Sequence, residues 1–433
     1  MYASVVIPAF DCAADLAEVL AAVEAGRPGR PEVVVADDAS TDATGGVAEA
    51  GGARCVRLDR NRGPAAARNV GARAAVGEVL VFVDADVVPA PGAVDRLVRI
   101  LAERSDVAAV FGSYDRNPRA DNVVSRYRNL LHHFVHQQGN PAAETFWAGC
   151  GAVRRSAFDA VGGFDEQRFP RSSIEDIDLG YRLRRAGYRI VLEPTIQGTH
   201  LKRWTLASMV WTDVVRRAIP WARLIAEEDR ALDHLNVQRS QRVAAVCAAL
   251  ACLCLVLTPW RPVLLLGTVA AVAGMVLLNR GLFTLFARRY GLAFAAACIP
   301  LHMLYYLYSG LAYALVRIER RVGWDRGRRG TMKKGKWRRG ALVALMVTTL
   351  GLSSCASGWR SCREWTDLAA KDTRSGDIGG VIPGIIYLAM SPIACATSLV
   401  LSPVTELTDR REEPEEPVLV VPTPTPGYDS PAP

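Results

Sequence analysis

With 433 residues, half of them apolar, the chain has the length and the nonpolar content for two or three domains, which excludes a disordered polymer. Its formal charge of +8 resembles a nucleic-acid signal, but many basic residues cluster between residues 317 and 339 beside apolar segments, which favours a membrane flank and no nucleic acid. The ten cysteines are scattered, and the close pair Cys252 and Cys254 lies in an apolar run where metal ligation is costly, so neither a zinc site nor a disulfide framework is expected.

No basic region followed by an apolar stretch opens the chain, because residues 4–8 already read as a strand, and the first domain is expected in the cytoplasm. From residue 3 to about 112, β-branched runs at 4–7, 32–36, 54–58, 79–83 and 107–111 alternate with helical patterns. That alternation predicts an α/β fold with a parallel sheet flanked by helices. Ligands of open α/β sheets bind beyond the carboxyl ends of the strands, which directs attention to residues 8–11, 37–42 and 84–86.

Asp37 and Asp38 close the second run, where a carboxylate can accept from a base's imide or a ribose hydroxyl; Asp38, Ser40 or Asp42 could equally cap the next helix. Asp84 and Asp86 close the fourth. Strand alternation turns both to one side, so together they can bind one hard cation, Mg2+ or Mn2+, and that cation can hold a diphosphate. Trp147 and Gly149 lie in a small-residue stretch that permits close approach of a ligand or makes a turn before a strand. Residues 174–187 read as a helix with Glu175, Asp176 and Asp178 early and arginines late, an order that dipole complementarity alone explains. The chemical reading makes Asp176 a general base, its ionised form favoured by the helix N-terminus. In the run from His200 to Trp204, Arg203 can neutralise a leaving diphosphate, and Trp204 can stack on a sugar or anchor at a membrane interface.

Residues 205–230 are amphipathic, suited to a membrane interface or to an ordinary packed helix. Apolar segments follow at 243–258, 263–278 and 291–316; the first two, about 16 residues each, fall short of the roughly 20 that span a bilayer. A cytoplasmic catalytic domain and a cytoplasmic basic stretch require an even number of crossings between them, so three segments conflict with the positive-inside rule unless one is interfacial or re-entrant. From Met332, a basic cluster, an apolar stretch and Leu352-Ser353-Ser354-Cys355 resemble a bacterial lipoprotein signal with its lipobox, and the end is acidic and Pro-rich.

Taken in order, these sites resemble glycosyltransferase family 2, of the GT-A (Rossmann-like) fold, across roughly residues 3–204. The matching runs are Val5-Val6-Ile7-Pro8-Ala9-Phe10, Asp37 to Asp42, Asn61 to Asn69, Asp84-Ala85-Asp86, Val161 to Glu166 and Glu175-Asp176. The resemblance implies that Pro8, Ala9, Asp37, Asp38, Arg68, Asp84 and Arg203 meet a nucleotide sugar, and that Asp84, Asp86 and His200 hold the metal. It further implies Asp176 as base and Trp147, Gly149, Glu175 and Trp204 at the acceptor. His200 stands where processive polysaccharide synthases carry the glutamine of Gln-x-x-Arg-Trp, or resembles the late histidine that completes some GT-A metal shells. The expected function is inverting transfer to a lipid-linked or glycan acceptor at the bacterial inner membrane. The alternatives are a catalytically silent scaffold and a transporter; the intact acidic sites argue against the first, and apolar segments without central charges against the second.

These readings divide the chain into a catalytic domain (1–204), interfacial helices (205–242), a transmembrane region of two or three crossings (243–316), a basic juxtamembrane segment (317–340) and a lipoprotein-like tail (341–433).

Overall fold

The computed structural model describes residues 1–25, 31–227 and 239–321. The chain opens as strand β1 (Ala3–Ala9), helix α1 (Ala13–Ala25), β2 (Glu32–Asp37), α2 (Thr44–Ala50), β3 (Arg54–Arg57), α3 (Pro64–Ala74) and β4 (Val79–Val83). Valines in β1, β2 and β4 are buried on both faces, as strands covered by helices on each side require. These first four strands pair in parallel. Next come β5 (Val87–Pro89), α4 (Ala93–Glu103), β6 (Val107–Tyr114), α5 (Val123–Gln137), β7 (Ala142–Ala143), β8 (Cys150–Arg154), α6 (Arg155–Ala160), α7 (Glu175–Arg185) and β9 (Arg189–His200).

The strand order is β3-β2-β1-β4-β8-β6-β9-β5, with β7 on β9. The expected parallel sheet is therefore mixed, because β8 enters antiparallel between β4 and β6. Its sequence, Cys150-Gly151-Ala152-Val153-Arg154, holds one β-branched residue, so little intrinsic signal marks it. Leu16, Leu20, Leu97 and Leu101 from α1 and α4 cover one face of the sheet. Ala65, Ala72, Phe158, Leu179 and Leu183 from α3, α6 and α7 cover the other. This layered, mixed-sheet architecture is the GT-A, Rossmann-like arrangement.

Residues 206–227 form α8 (Leu206–Trp211), a π-helical segment (Thr212–Ala218) and α9 (Ile219–Glu227). An interfacial helix needs an exposed apolar stripe, but Met209, Val210, Val214, Ile219 and Leu224 are buried within the protein. The amphipathic pattern is that of packed helices.

Beyond lie α10 (Arg239–Leu257), α11 (Leu264–Leu278) and α12 (Arg280–Arg321). Helix α12 breaks at Gly291, whose φ of 87° and ψ of 169° only glycine adopts readily. Tyr306 Oη reaches Asn279 Oδ1 at 2.9 Å, and the Phe286 and Phe294 rings meet at 5.7 Å, so the second arm folds back along the first. Ser240–Leu257 and α12 are long and apolar enough to cross a membrane; α11 is shorter. Most of the basic segment (317–340) and all of the lipoprotein-like, Pro-rich stretch (341–433) fall outside the described residues.

Candidate active site

Strand β4 stops at Val83, and residues 84–86 turn into β5, with the Val87 amide donating to the Asp84 carbonyl at 3.0 Å. Alternation no longer governs a turn, and the two carboxylates take different partners. Asp84 Oδ1 accepts from Arg68 Nη2 at 2.6 Å, while Asp86 Oδ2 faces His200 Nε2 at 3.6 Å. Arg68 Nη1 donates to Glu175 Oε1 at 2.8 Å, and Glu175 Oε2 accepts the Ser173 amide at 2.8 Å. Helix α3, the end of β4 and the start of α7 are thus tied through one guanidinium. Arg68 and Glu175, expected at the nucleotide and the acceptor, are instead buried and turned on each other.

Asp176 lies beside this triad, half-buried, with Oδ2 accepting the Ala148 amide at 3.3 Å. Burial pushes its carboxyl up to about 7; the neighbouring Glu175 charge adds to the shift and Arg68 opposes it. Asp84 is likewise raised, by burial first and then by Asp86, against Arg68. Asp86 moves the other way: burial raises it, but the His200 hydrogen bond and charge, with Lys202, outweigh that. Asp178, by contrast, pairs with Arg182 at 2.7 Å, the structural use of an acid-first helix.

The loop before β8 joins the two carboxylate centres. The Gly149 carbonyl accepts the Asp84 amide at 3.2 Å, while Ala148 serves Asp176. A Cβ at Gly149 would stand 2.4 Å from the Trp147 indole, so this tight turn admits no side chain without displacing that ring. Trp147 is half-buried among Tyr114, His132 and His136, with ring centroids 4.9, 5.1 and 5.6 Å away. His200 stacks on Tyr114 at 4.4 Å. The sequence reading missed these three neighbours, although two histidines four apart on α5 were a legible sign. Burial lowers His132 far below the usual imidazole range and His136 to about 4, so both rings are neutral near pH 7.

At the ends of β1 and β2, Pro8 is half-buried and Ala9 buried, its carbonyl accepting the Asp38 amide at 2.8 Å. Asp38 accepts the Arg62 and Gly63 amides, each at 2.7 Å, and so fastens the turn that starts α3. Asp37 is fully buried; its oxygens take the Ser40 amide at 2.8 Å and Arg57 at 2.6 Å, which leaves neither facing a ligand. Phe10, absent from the expected site, is exposed at this edge. Arg203 is exposed, 3.8 Å from Asp121. Trp204 is buried, its amide on Ser125 Oγ at 2.8 Å and Lys202 over its ring, so it offers no open face for a sugar or a bilayer.

Among the described residues, no three His, Cys, Asp or Glu side chains form a ready metal cage. Asp86 and His200, 3.6 Å apart, fit Mg2+ or Mn2+ as a sparse pair that diphosphate oxygens would complete, since such ions commonly rest on one or two carboxylates plus phosphate.

Residues 4–162 match the family model described as Glycosyl transferase family 2. Pre-mycofactocin glycosyltransferase of Mycobacterium tuberculosis is 33% identical over 156 residues, covering 35% of this chain and 32% of that protein. Dolichol-phosphate mannosyltransferase of Pyrococcus furiosus is 26% identical over 207 residues, covering 47% of this chain and 54% of that protein. The chain therefore spans between about a third and a half of these relatives' lengths. Among solved structures, the mannosyltransferase PcManGT of Pyrobaculum calidifontis, in complex with GDP-Man and Mn2+, is similar at TM-score 0.44 and 19% identity, covering 72% of this chain and 86% of that one.

Proposed function

We infer from the match of residues 4–162 to the model of glycosyltransferase family 2 that the chain transfers a sugar, with inversion, from a nucleoside-diphosphate donor to a membrane-associated acceptor. The observation that carries the mechanism is a carboxyl raised to about 7, Asp176, beside the Asp84–Arg68–Glu175 triad at the carboxyl end of β4. In a single displacement the acceptor oxygen bonds to the anomeric carbon while the bond from that carbon to the diphosphate oxygen breaks on the opposite face. Asp176 takes the acceptor's hydroxyl proton as this happens. Its proximity to neutral pH leaves a working fraction ionised and still basic enough to accept that proton.

Asp86 and His200 would hold Mg2+ or Mn2+, with Asp84 on the adjoining turn, and the ion would supply positive charge at the leaving diphosphate. Arg68 keeps Asp84 oriented, and the Trp147–Gly149 turn fixes Asp176 relative to Asp84. A lipid-linked acceptor is supported by the apolar helices and by a relative whose name includes dolichol phosphate. The donor side, and hence the catalytic domain, belongs in the cytoplasm, where nucleotide sugars are made.

The test is a panel of nucleotide sugars given to membranes that carry the chain, with Mg2+ or Mn2+. Asp176→Asn should keep donor binding and lose transfer by about 10²–10⁴-fold; undiminished transfer would remove Asp176 from the mechanism, and absence of donor binding by the unaltered chain would remove the enzymatic reading.

A further inference from the structure

By composition α12 is a membrane span: 42 residues, one apolar window, and no acidic residue before Glu319. Its surroundings contradict that. His302 Nδ1 lies 3.0 Å from Tyr127 Oη on α5, and Tyr308 Oη donates to Asp213 in the π-helical segment at 2.6 Å. Glu319 pairs with Arg223 of α9 at 3.4 Å. From His302 to Glu319 the helix rises roughly 26 Å at 1.5 Å per residue, nearly a hydrocarbon core's thickness, and it touches the body of the protein at both ends and between. Were this arm a crossing, α5, the π-helical segment and α9 would enter the bilayer with it. They would carry Arg128, bound to Asp213 at 2.9 Å, together with Arg217 and Arg223. Several charges at bilayer depth are expensive.

Helices α10 and α11 have the opposite character. Val246, Leu253, Val256, Trp260, Leu266 and Val269 are exposed around the pair. Between residues 243 and 278 the single charged side chain is Arg261, in the turn at the tip. The 19 residues of α10 rise roughly 28 Å, close to the roughly 30 Å of bilayer hydrocarbon. At the opposite end Gln241 meets Asn279 at 3.4 Å, which brings together Arg242 and Arg280, with Arg288 and Arg289 further along α12. Arginines at that end against one at the tip place the tip outside by the positive-inside rule. Trp260 at the tip suits a far-side headgroup anchor.

We propose that the α10–α11 hairpin is the bilayer-inserted element, crossing twice, and that α12 is a strap held against the catalytic domain, so that the chain leaving Arg321 lies on the same side as that domain. Two crossings resolve the parity conflict in the sequence, because the longest apolar segment is the one that stays on the protein. The proposal does not depend on sugar transfer, since its readout is sidedness.

The test inserts a folded reporter pair in the full chain at three places: before Met1, after Arg261 and after Arg321. One reporter is a phosphatase active only outside the cytoplasm, and the other a fluorescent protein that matures only inside. The expected result is one side for the first and third positions and the other side for the second. Opposite sides for the first and third would establish a third crossing and overturn the proposal; a single side for all three would leave the hairpin uninserted and overturn it equally. Because an insertion can disturb folding, Trp260→Cys and Ile318→Cys are labelled with a membrane-impermeant maleimide in intact spheroplasts, against the unaltered chain's own cysteines. Added label at position 260 and none at 318 is expected, and added label at 318 overturns the proposal.

Discussion

As the proposed base, Asp176 would make transfer pH-dependent in a stated direction. Its carboxyl is raised to about 7 by burial and by Glu175, so the base is protonated and idle below that value and ionised above it. Transfer measured as kcat/KM should rise with pH through about 7, and an acid limb that instead falls away near 4 would show that a carboxyl raised by burial is not the base. Stability runs the other way. A carboxyl with a raised folded value contributes stability that is fully present below its unfolded value near 4, and that contribution is lost as pH climbs through about 7. Arg68 is the second residue with a sharp expectation. Buried between Glu175 and Asp84, it neutralises both; Arg68→Met strands Glu175 without its partner and should lower stability by about 3–5 kcal/mol. Thermal unfolding checks this, and an unchanged midpoint would mean that water reaches Glu175 freely.

The elements carry their own lesson, best seen at Asp213. This buried carboxylate on the π-helical segment binds Arg128 of α5 and Tyr308 of α12, pinning three elements at once. Asp213→Ala leaves Arg128 buried and unpaired, so a loss of about 3–5 kcal/mol is expected, with earlier proteolysis of α12 than of the sheet; a mutant cut in the sheet first would deny the pin. Such a link was illegible in the sequence, because Arg128 and Asp213 are far apart along the chain and each alone looks like a surface charge. Strands β1, β2 and β4 and helix α7 were legible, since burial on both faces writes valine runs and a helix dipole writes acids first and arginines last. Strand β8 was not, because its partners rather than its side chains make it a strand. The same limit applies to the site residues. Asp-x-Asp marks the end of β4, but whether each carboxylate faces a ligand or a guanidinium depends on α3 and α7, which meet β4 only after folding. Trp204 shows the converse: an aromatic beside basic residues reads as an anchor, yet Ser125 and the α5 core hold it inside.

At the scale of the molecule, helix α7 and the helical stretch from α8 to α9 are one packed unit. Ser173 Oγ, three residues before Asp176, donates to the Arg216 carbonyl of the π-helical segment at 2.7 Å, and Ile174 and Tyr181 pack with Leu224 of α9. Asp176, the proposed base, is therefore positioned from two sides, by α3 through the arginine triad and by the helices that α12 straps down. That strap ends in the Arg223–Glu319 pair, and Val316 is its last buried apolar residue. Every group assigned to donor, metal or proton transfer lies between Pro8 and Arg203, and among the described residues the contacts that hold those groups extend no further than Glu319. A chain ending at Arg321 should accordingly stay in membranes and transfer sugar at the rate of the full chain. The measurement is transfer per amount of membrane-bound protein, compared at equal donor concentration. Loss of transfer from a truncated chain that remains membrane-bound and unfolds at the same temperature would make residues 322–433 part of the enzyme, and would also turn the lipoprotein-like stretch from a passenger into a working segment.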